Sequence, residues 1–413
     1  MKSKTSRLMF VAIAFALLAT TALAEKVNVL YSFKGTSGGD TPLANFISDT
    51  AGNLYGVTGF GGINCDNTGN GCGTVFELSP PAEAGGVWSK TTIYKFHGSP
   101  DGAYPSGGRL LMDKEGNLYG ATINGGVANC DASGVGCGVF YQLTPPTQKG
   151  GAWKETVVYS FKGGRDGFEP GGLVFGSQDK IYGITSYGGI TGQGYGYGTV
   201  FQLSKSSGGA WVERILYRFQ NTSDGSSPSY MQTLLRDEKG NLYGTTIPGD
   251  ILLGTSFELS PPKTKGAAWT ETTIADVGSF WAGLISDKAG NLYGTNFAGS
   301  TGNGSVFELS PERGGGWNAT TIFSFSGSDG SQPMSALTLD ASGNLYGTTY
   351  TGGKSNVGTV YKLAPSGQSW TQTVLHSFIG FGVDGREPSG GLLERNGLLY
   401  GTTQGNTAFS IRH

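Results

Sequence analysis

The sequence predicts an all-β chain: a seven-bladed β-propeller of four-stranded antiparallel blades, the last blade closed by the N-terminal strand. Three observations predict it. A Leu-Tyr-Gly core recurs along the chain with its Tyr at 55, 119, 182, 243, 293, 346 and 400. Each copy resolves into four short segments rich in β-branched and aromatic residues and separated by Gly-rich turns, which is the pattern of a propeller blade. The last copy holds only three segments, and the missing fourth stands at the N-terminus as "EKVNVLYSF", residues 25–33. Pairing of that strand with the C-terminal one removes an open sheet edge.

The elements follow in order within each copy. The first segment is apolar with small residues, as in "GRLLMD" or "MSALTLD". A turn of the form Asp-x-x-Gly-Asn comes next: Asp bonds forward to the turn backbone, and Gly supplies the positive φ. Asp49, Asp113, Asp237, Asp287 and Asp340 stand six residues before the Tyr; the third copy has Gly176 there and the seventh Glu394. The second segment is "LYGTT" and the third "GTVFELSP". The fourth opens on Trp and closes on Phe, as in Trp88–Phe96, Trp153–Phe161, Trp211–Phe219, Trp317–Phe325 and Trp370–Phe378; the segment opened by Trp269 ends in Val277. No segment sustains a helical period.

The expected organisation is a signal peptide over 1–24 and one propeller domain over 25–413. Its blades run approximately over 42–97, 105–161, 170–219, 228–277, 279–325, 333–378, and 388–413 plus 25–33. Lys2, Lys4 and Arg7 precede an apolar run that ends in Ala22-Leu23-Ala24, a small-x-small cleavage signature. No other stretch is long enough to span a bilayer, so the mature chain is expected to be secreted or periplasmic, with no membrane span. Cysteine usage points the same way. Cys65 and Cys72, and Cys130 and Cys137, are each separated by six residues, wider than zinc sites use, and read as two local disulfides. The chain is charge-poor, with 14% charged residues and a net charge of −2, and has no Lys/Arg cluster. That argues against nucleic acid as a partner.

The run "GNLYGTT…GGK…GTVYKLAPSG" at 343–367 resembles the tandem repeat named GloVer, found in bacterial exported proteins with varied anchors. The resemblance covers nearly the whole mature chain. It implies a propeller-like secreted protein and carries over no catalytic residues. The "D-x-x-G-N-L-Y" strands are also similar to those of other propellers, some of them hydrolases or lactonases, a likeness of fold alone.

Strands alternate in direction, so the loops between second and third strands emerge on the same face as the blade connections. Loops of that kind are longest in the first three copies, where they include both cysteine rings and "YGGITGQGYGYG" at 187–198. The connections carry Asp-Gly-x-x-Pro, at Asp101–Pro105, Asp166–Pro170, Asp224–Pro228, Asp329–Pro333 and Asp384–Pro388, with a shorter form at Asp40–Pro42. The motif reads as a repeated turn, and alternatively as a ring of carboxylates that could hold a cation or sugar. The connection "ADVGSFWAG" lacks it and carries Phe280 and Trp281, aromatic faces suited to a sugar ring or to plugging the gap. The candidate ligand-binding residues are therefore Trp281, Phe280, Asp101, Tyr104, Asp166, Asp224 and Asp384.

Catalytic residues, cofactors and metals are not indicated. His376 occupies a slot filled elsewhere by Tyr31, Tyr94, Tyr159, Tyr217 and Phe323, and reads as a core substitute. No Gly-x-Ser-x-Gly, His-Glu-x-x-His or phosphate loop is present. From Asp66 the string "DNTGNGCGTVFE" mimics a calcium loop, but Thr68 is a poor ligand and no helices flank it. The expected function is an extracytoplasmic binding or interaction protein for carbohydrate or protein. The alternative is a secreted polysaccharide hydrolase or lyase on the same face.

Overall fold

The computed structural model describes residues 27–413 apart from 36–37, 44, 66–68, 84, 106–107, 129, 131–133, 149, 191–194, 248–253 and 279–281. The expected signal peptide, Glu25, Phe280 and Trp281 lie outside the described residues. Seven antiparallel sheets stand in a ring, each ordered from the innermost to the outermost strand as the chain runs. Blade five shows the pattern: Ile285–Ser286, Leu292–Asn296, Ser305–Pro311 and Trp317–Ser324. The seventh blade consists of Leu393–Arg395, Leu398–Thr403, Thr407–Arg412 and, from the other end of the chain, Asn28–Ser32. Asn28 lies opposite Ser410 and Ser32 opposite Thr407. The seventh blade thus closes the ring as expected.

The Gly of Leu-Tyr-Gly is explained by the strand beside it. In all seven blades it faces the central aromatic of the third strand, as Gly56 does Phe76, Gly244 does Phe257, and Gly347 does Tyr361. A Cβ at Gly294 would stand 2.4 Å from the ring of Phe307. The aromatic ring lies flat across a backbone that has no side chain to push it off, which is how a sheet recovers packing lost at a glycine.

Each fourth strand carries a bulged residue at the same register, Leu30, Ile93, Val158, Leu216, Ile274, Ile322 and Leu375, and that of blade four shifts register once more between Asp276 and Gly278. Past the bulge, Tyr94 and Phe96 both pack into the cluster shared with the next blade. The core is accordingly divided into seven apolar clusters, each shared by two adjacent blades. The Trp that opens a fourth strand packs edge-on against the preceding blade, as Trp153 does on Tyr55, Trp317 on Tyr243 and Trp370 on Tyr293. At the seam His413 takes that place. Its ring lies 4.5 Å from that of Tyr346, and its Nδ1 is 2.8 Å from the Tyr346 hydroxyl.

The lower rim is made by the turn between first and second strands. Asp49 accepts from the Asn53 backbone and side chain at 2.9 and 2.8 Å and from the Tyr55 hydroxyl at 3.1 Å. Asp113, Asp237, Asp287 and Asp340 repeat this. The seventh blade departs from the expectation. Glu394 pairs with Leu399 and so occupies the strand position of Leu339, while Arg395 stands where the others have Asp. Its turn is one residue shorter, with Asn396 and Gly397 both at positive φ, a two-residue hairpin turn. Arg395 instead reaches across the seam to the carbonyls of Asp49 and Thr50 at 2.8 and 3.1 Å.

Candidate functional site

The upper rim carries the second-to-third-strand loops and the blade connections. Within Asp-Gly-x-x-Pro the Asp ties the connection to the strand it leaves, and the Gly, the residue before Pro and the Pro hold two blades together. Asp101 accepts from the Tyr94 hydroxyl at 2.9 Å and the His97 amide at 2.8 Å; Asp166 accepts from Tyr159 and Lys162 in the same way, and Asp224 from Tyr217 and Gln220. His376 preserves the contact in its Tyr slot, with Nε2 2.7 Å from Asp384. Asp224 and Asp384 are buried. The Gly packs on a threonine pair of the next blade: at Gly225 a Cβ would meet Thr246 at 2.2 Å. The residue before Pro has positive φ in six connections, at Thr41, Tyr104, Glu169, Ser227, Gln332 and Glu387. In five of these its amide donates to a carbonyl of the preceding blade, as Tyr104 does to Cys72 at 2.9 Å, and Thr41 donates to the Asn406 side chain at 2.8 Å. The Pro ring seats on the Gly that opens the preceding third strand, as Pro105 does on Gly73 and Pro388 on Gly358.

The structure thus places Asp101, Asp166, Asp224 and Asp384 each in a different blade junction rather than together. Tyr104 is set apart from them by its side chain, which packs edge-on against Phe60 with ring centroids 5.6 Å apart. Both disulfides, Cys65–Cys72 and Cys130–Cys137, pin upper loops of blades one and two. Among the described residues no group of three His, Cys, Asp or Glu is arranged to hold a metal ion.

Three carboxyls are perturbed where a fourth strand passes the preceding connection. Glu213 is pushed up to about 8 by burial and then by Asp166. Glu155 is raised to about 7 by burial and Asp101, and Glu271 to about 7, chiefly by burial. At the matching position Lys90 donates to the Gly38 carbonyl and Gln372 to that of Asp329.

The apolar surface is distributed unevenly. Eleven large apolar side chains are exposed among the described residues. Val87, Phe175 and Val212 lie at the lower rim or outer edge. Of the other eight, Ile63, Val127, Val135, Tyr195, Ile379, Phe381 and Val383 lie in upper loops, and Phe60 ends the second strand of blade one at the same rim. Ile379, Phe381 and Val383 form one tongue between blades six and seven and are each about 60% exposed. The Arg386 guanidinium stacks 3.9 Å from the Phe381 ring centroid. Sequence reasoning missed this tongue. The available signal was spacing: six residues separate Phe378 from Asp384, against five from Phe96 to Asp101.

The first strands enclose a central cavity of about 850 Å³. Leu110, Leu234 and Leu337 of those strands turn into the blades and are buried, whereas Val174, Leu235 and Ile285 remain partly open to it.

The profile of the family described as "Gloeobacter/Verrucomicrobia repeat" matches the chain over residues 16–194, 130–315 and 252–411. No curated protein matches. Among solved structures, one from Thermus thermophilus, described as an oxidoreductase (glucose dehydrogenase), is 14% identical. That match covers 73% of this chain and 94% of the other, with a TM-score of 0.43. Among the described residues no helix is long and apolar enough to cross a membrane.

Proposed function

We propose that this chain, which belongs to the Gloeobacter/Verrucomicrobia repeat family, is an extracytoplasmic binding protein that recognises carbohydrate or another protein through its upper rim. One observation carries the reading: among the described residues, eight of the eleven exposed large apolar side chains lie at one rim. Scattered exposed apolar residues need no explanation, but a one-sided collection marks an interaction surface. The two disulfides favour an oxidising compartment. Phe381 with Arg386 behind it, and the Tyr187–Tyr195 pair with centroids 6.0 Å apart, offer aromatic faces of the kind that sugars and protein hot spots use.

A polysaccharide hydrolase or lyase on the same rim is the second reading. The raised carboxyl of Glu213 beside Asp166 favours it, because catalytic acids need such shifts. The same pairing recurs at Glu155 and Glu271, as a blade-to-blade contact would. A glycan array and a pull-down with the exported chain, run beside a polysaccharide turnover assay, separate the two. Binding without turnover supports the first reading; turnover abolished by Glu213→Gln supports the second.

A further inference from the structure

The central cavity is a second place to look, and its chemistry differs from that of the upper rim. Where the first strands enter it, Gly283, Ala336 and Gly391 contribute no more than a methyl group, Thr233 lines the same level, and the Asn45 side chain is engaged by the Gly391 amide. Arg109 stands at the same level. Its guanidinium has no hydrogen bond or ion pair to any described residue. Burial alone lowers its pKa, with no charged group contributing. Its side chain is exposed and lines the cavity. Arg386 pairs with Glu387 at 3.4 Å and Arg395 with two carbonyls, whereas the Nε of Arg236, on the same cavity wall, is buried without a partner. An unpaired guanidinium on a cavity wall offers charge-assisted hydrogen bonds to an anion placed beside it.

Below Arg109 the wall is apolar through Leu111, Val174, Leu235, Ile285 and Leu393, with Asp113 and Glu394 lining it further down. The volume falls within the range of small-molecule sites, roughly 300–1,000 Å³. The second cation of the wall, Arg236, lies at the lower end of its strand, three positions further along. We infer that the central cavity binds a small molecule with an apolar body and a single oxyanion, carboxylate or phosphate, the oxyanion held by the Arg109 guanidinium. This goes beyond the recognition reading, since a silent upper rim would leave the cavity as it is.

Isothermal titration of the full chain tests it, with 4-phenylbutyrate, hexyl phosphate, the neutral 4-phenylbutanamide and inorganic phosphate as probes. The anionic apolar probes are expected to bind and the amide to bind weakly or not at all. Arg109→Gln is expected to weaken the anions by roughly ten- to a hundredfold, the value of a hydrogen bond to a charged group, while Arg236→Gln and Phe381→Ala leave them unchanged. Thermal unfolding of Arg109→Gln should match that of the parent, because Arg109 holds no other residue. Several results would overturn the inference: no anion binding at millimolar concentration, equal binding by Arg109→Gln, or loss in Arg236→Gln alone. Inorganic phosphate binding as tightly as hexyl phosphate would remove the apolar body from it.

Discussion

At the lower rim, Asp49, Asp113, Asp237, Asp287 and Asp340 each accept from the Asn four residues on and the Tyr two beyond it. At the upper rim, the loops leaving those second strands range from residues 404–406 in blade seven to 125–138 in blade two. The lower turns repeat in five of the seven blades, and the upper loops between second and third strands do not. Where a residue serves the blade's own folding, most blades keep it. Where a loop only bridges two strands, its composition is free, and here that freedom has gone into apolar surface and disulfides.

The comparison would break most visibly if the repeated elements proved dispensable. Phe257 fills the space over Gly244 and is wholly buried. Phe257→Ala is expected to cost about 3–5 kcal/mol, and Gly244→Ala about 1–3 kcal/mol through overpacking. Denaturant unfolding measures both, and a loss below about 1 kcal/mol for Phe257→Ala would mean that the blades do not depend on this pairing. Reducing the disulfides tests the opposite rim. Each closes a short ring, so loss of Cys130–Cys137 should destabilise by roughly 2–3 kcal/mol in the chain-entropy picture. A loss well above that value would show that an upper loop supports the ring, whereas a loss at or below it leaves the disulfide a constraint on its own loop. Asp237→Ala removes the acceptor of a lower turn and should cost about 1–3 kcal/mol, with Asp287→Ala matching it within error if the turns are equivalent.

Much of this was legible in the sequence for a physical reason. A repeated string reports a repeated environment, so the six Leu-Tyr-Gly cores with Ile181-Tyr182-Gly183, the Asp turns and the divided last blade each read directly as structure. Three things did not. Counting back from Tyr400 puts Glu394 in the Asp position because counting cannot see a turn shortened by one residue; strand pairing puts Arg395 there. The bulges at Ile93 and its equivalents are silent because they sit inside a constant Trp-to-Phe spacing. The tongue at Ile379–Val383 and the lone Arg109 occur once, and a feature that occurs once has no second copy against which to be noticed. Phe280 and Trp281, chosen because their connection breaks the pattern, lie outside the described residues and stay a proposal for mutagenesis.

Titration sharpens the comparison between junctions. Glu155, Glu213 and Glu271 have folded-state pKa values of about 7, 8 and 7, above the ordinary 4.5. Their protonated forms are therefore favoured by folding. The stability they contribute is complete below about pH 4.5 and is lost as pH rises through about 7 to 8. The neighbours of Glu213 include Asp166, which raises it, and Arg218 and Lys162, which lower it. Lys90, depressed to about 8 mainly by burial, changes charge above this window and acts there in the opposite sense. The melting temperature is expected to fall by a few degrees between about pH 5 and 8 and to flatten in the Glu155→Gln, Glu213→Gln, Glu271→Gln triple variant. An unchanged slope in that variant would place the pH dependence elsewhere.

The smallest expected effect on stability is also the most telling. Phe381 is 60% exposed, lies between glycines at 380 and 382, and touches the Arg386 guanidinium. Phe381→Ala should shift unfolding by no more than about 0.5 kcal/mol, as surface substitutions do, and the same holds for Ile379→Ser and Val383→Ser. If the upper rim is a recognition surface, these changes cost binding to whatever glycan or protein the full chain captures, and cost it without a matching loss of fold. The lower rim supplies the control, because Val87 is exposed there in a hairpin of blade one, and Val87→Ser should alter neither property. Equal indifference of binding to Phe381→Ala and Val87→Ser would put the two rims on the same footing and remove the apolar asymmetry as a guide to function. A large stability loss on Phe381→Ala would instead show that the tongue braces the junction of blades six and seven, making its exposure a consequence of folding rather than of recognition.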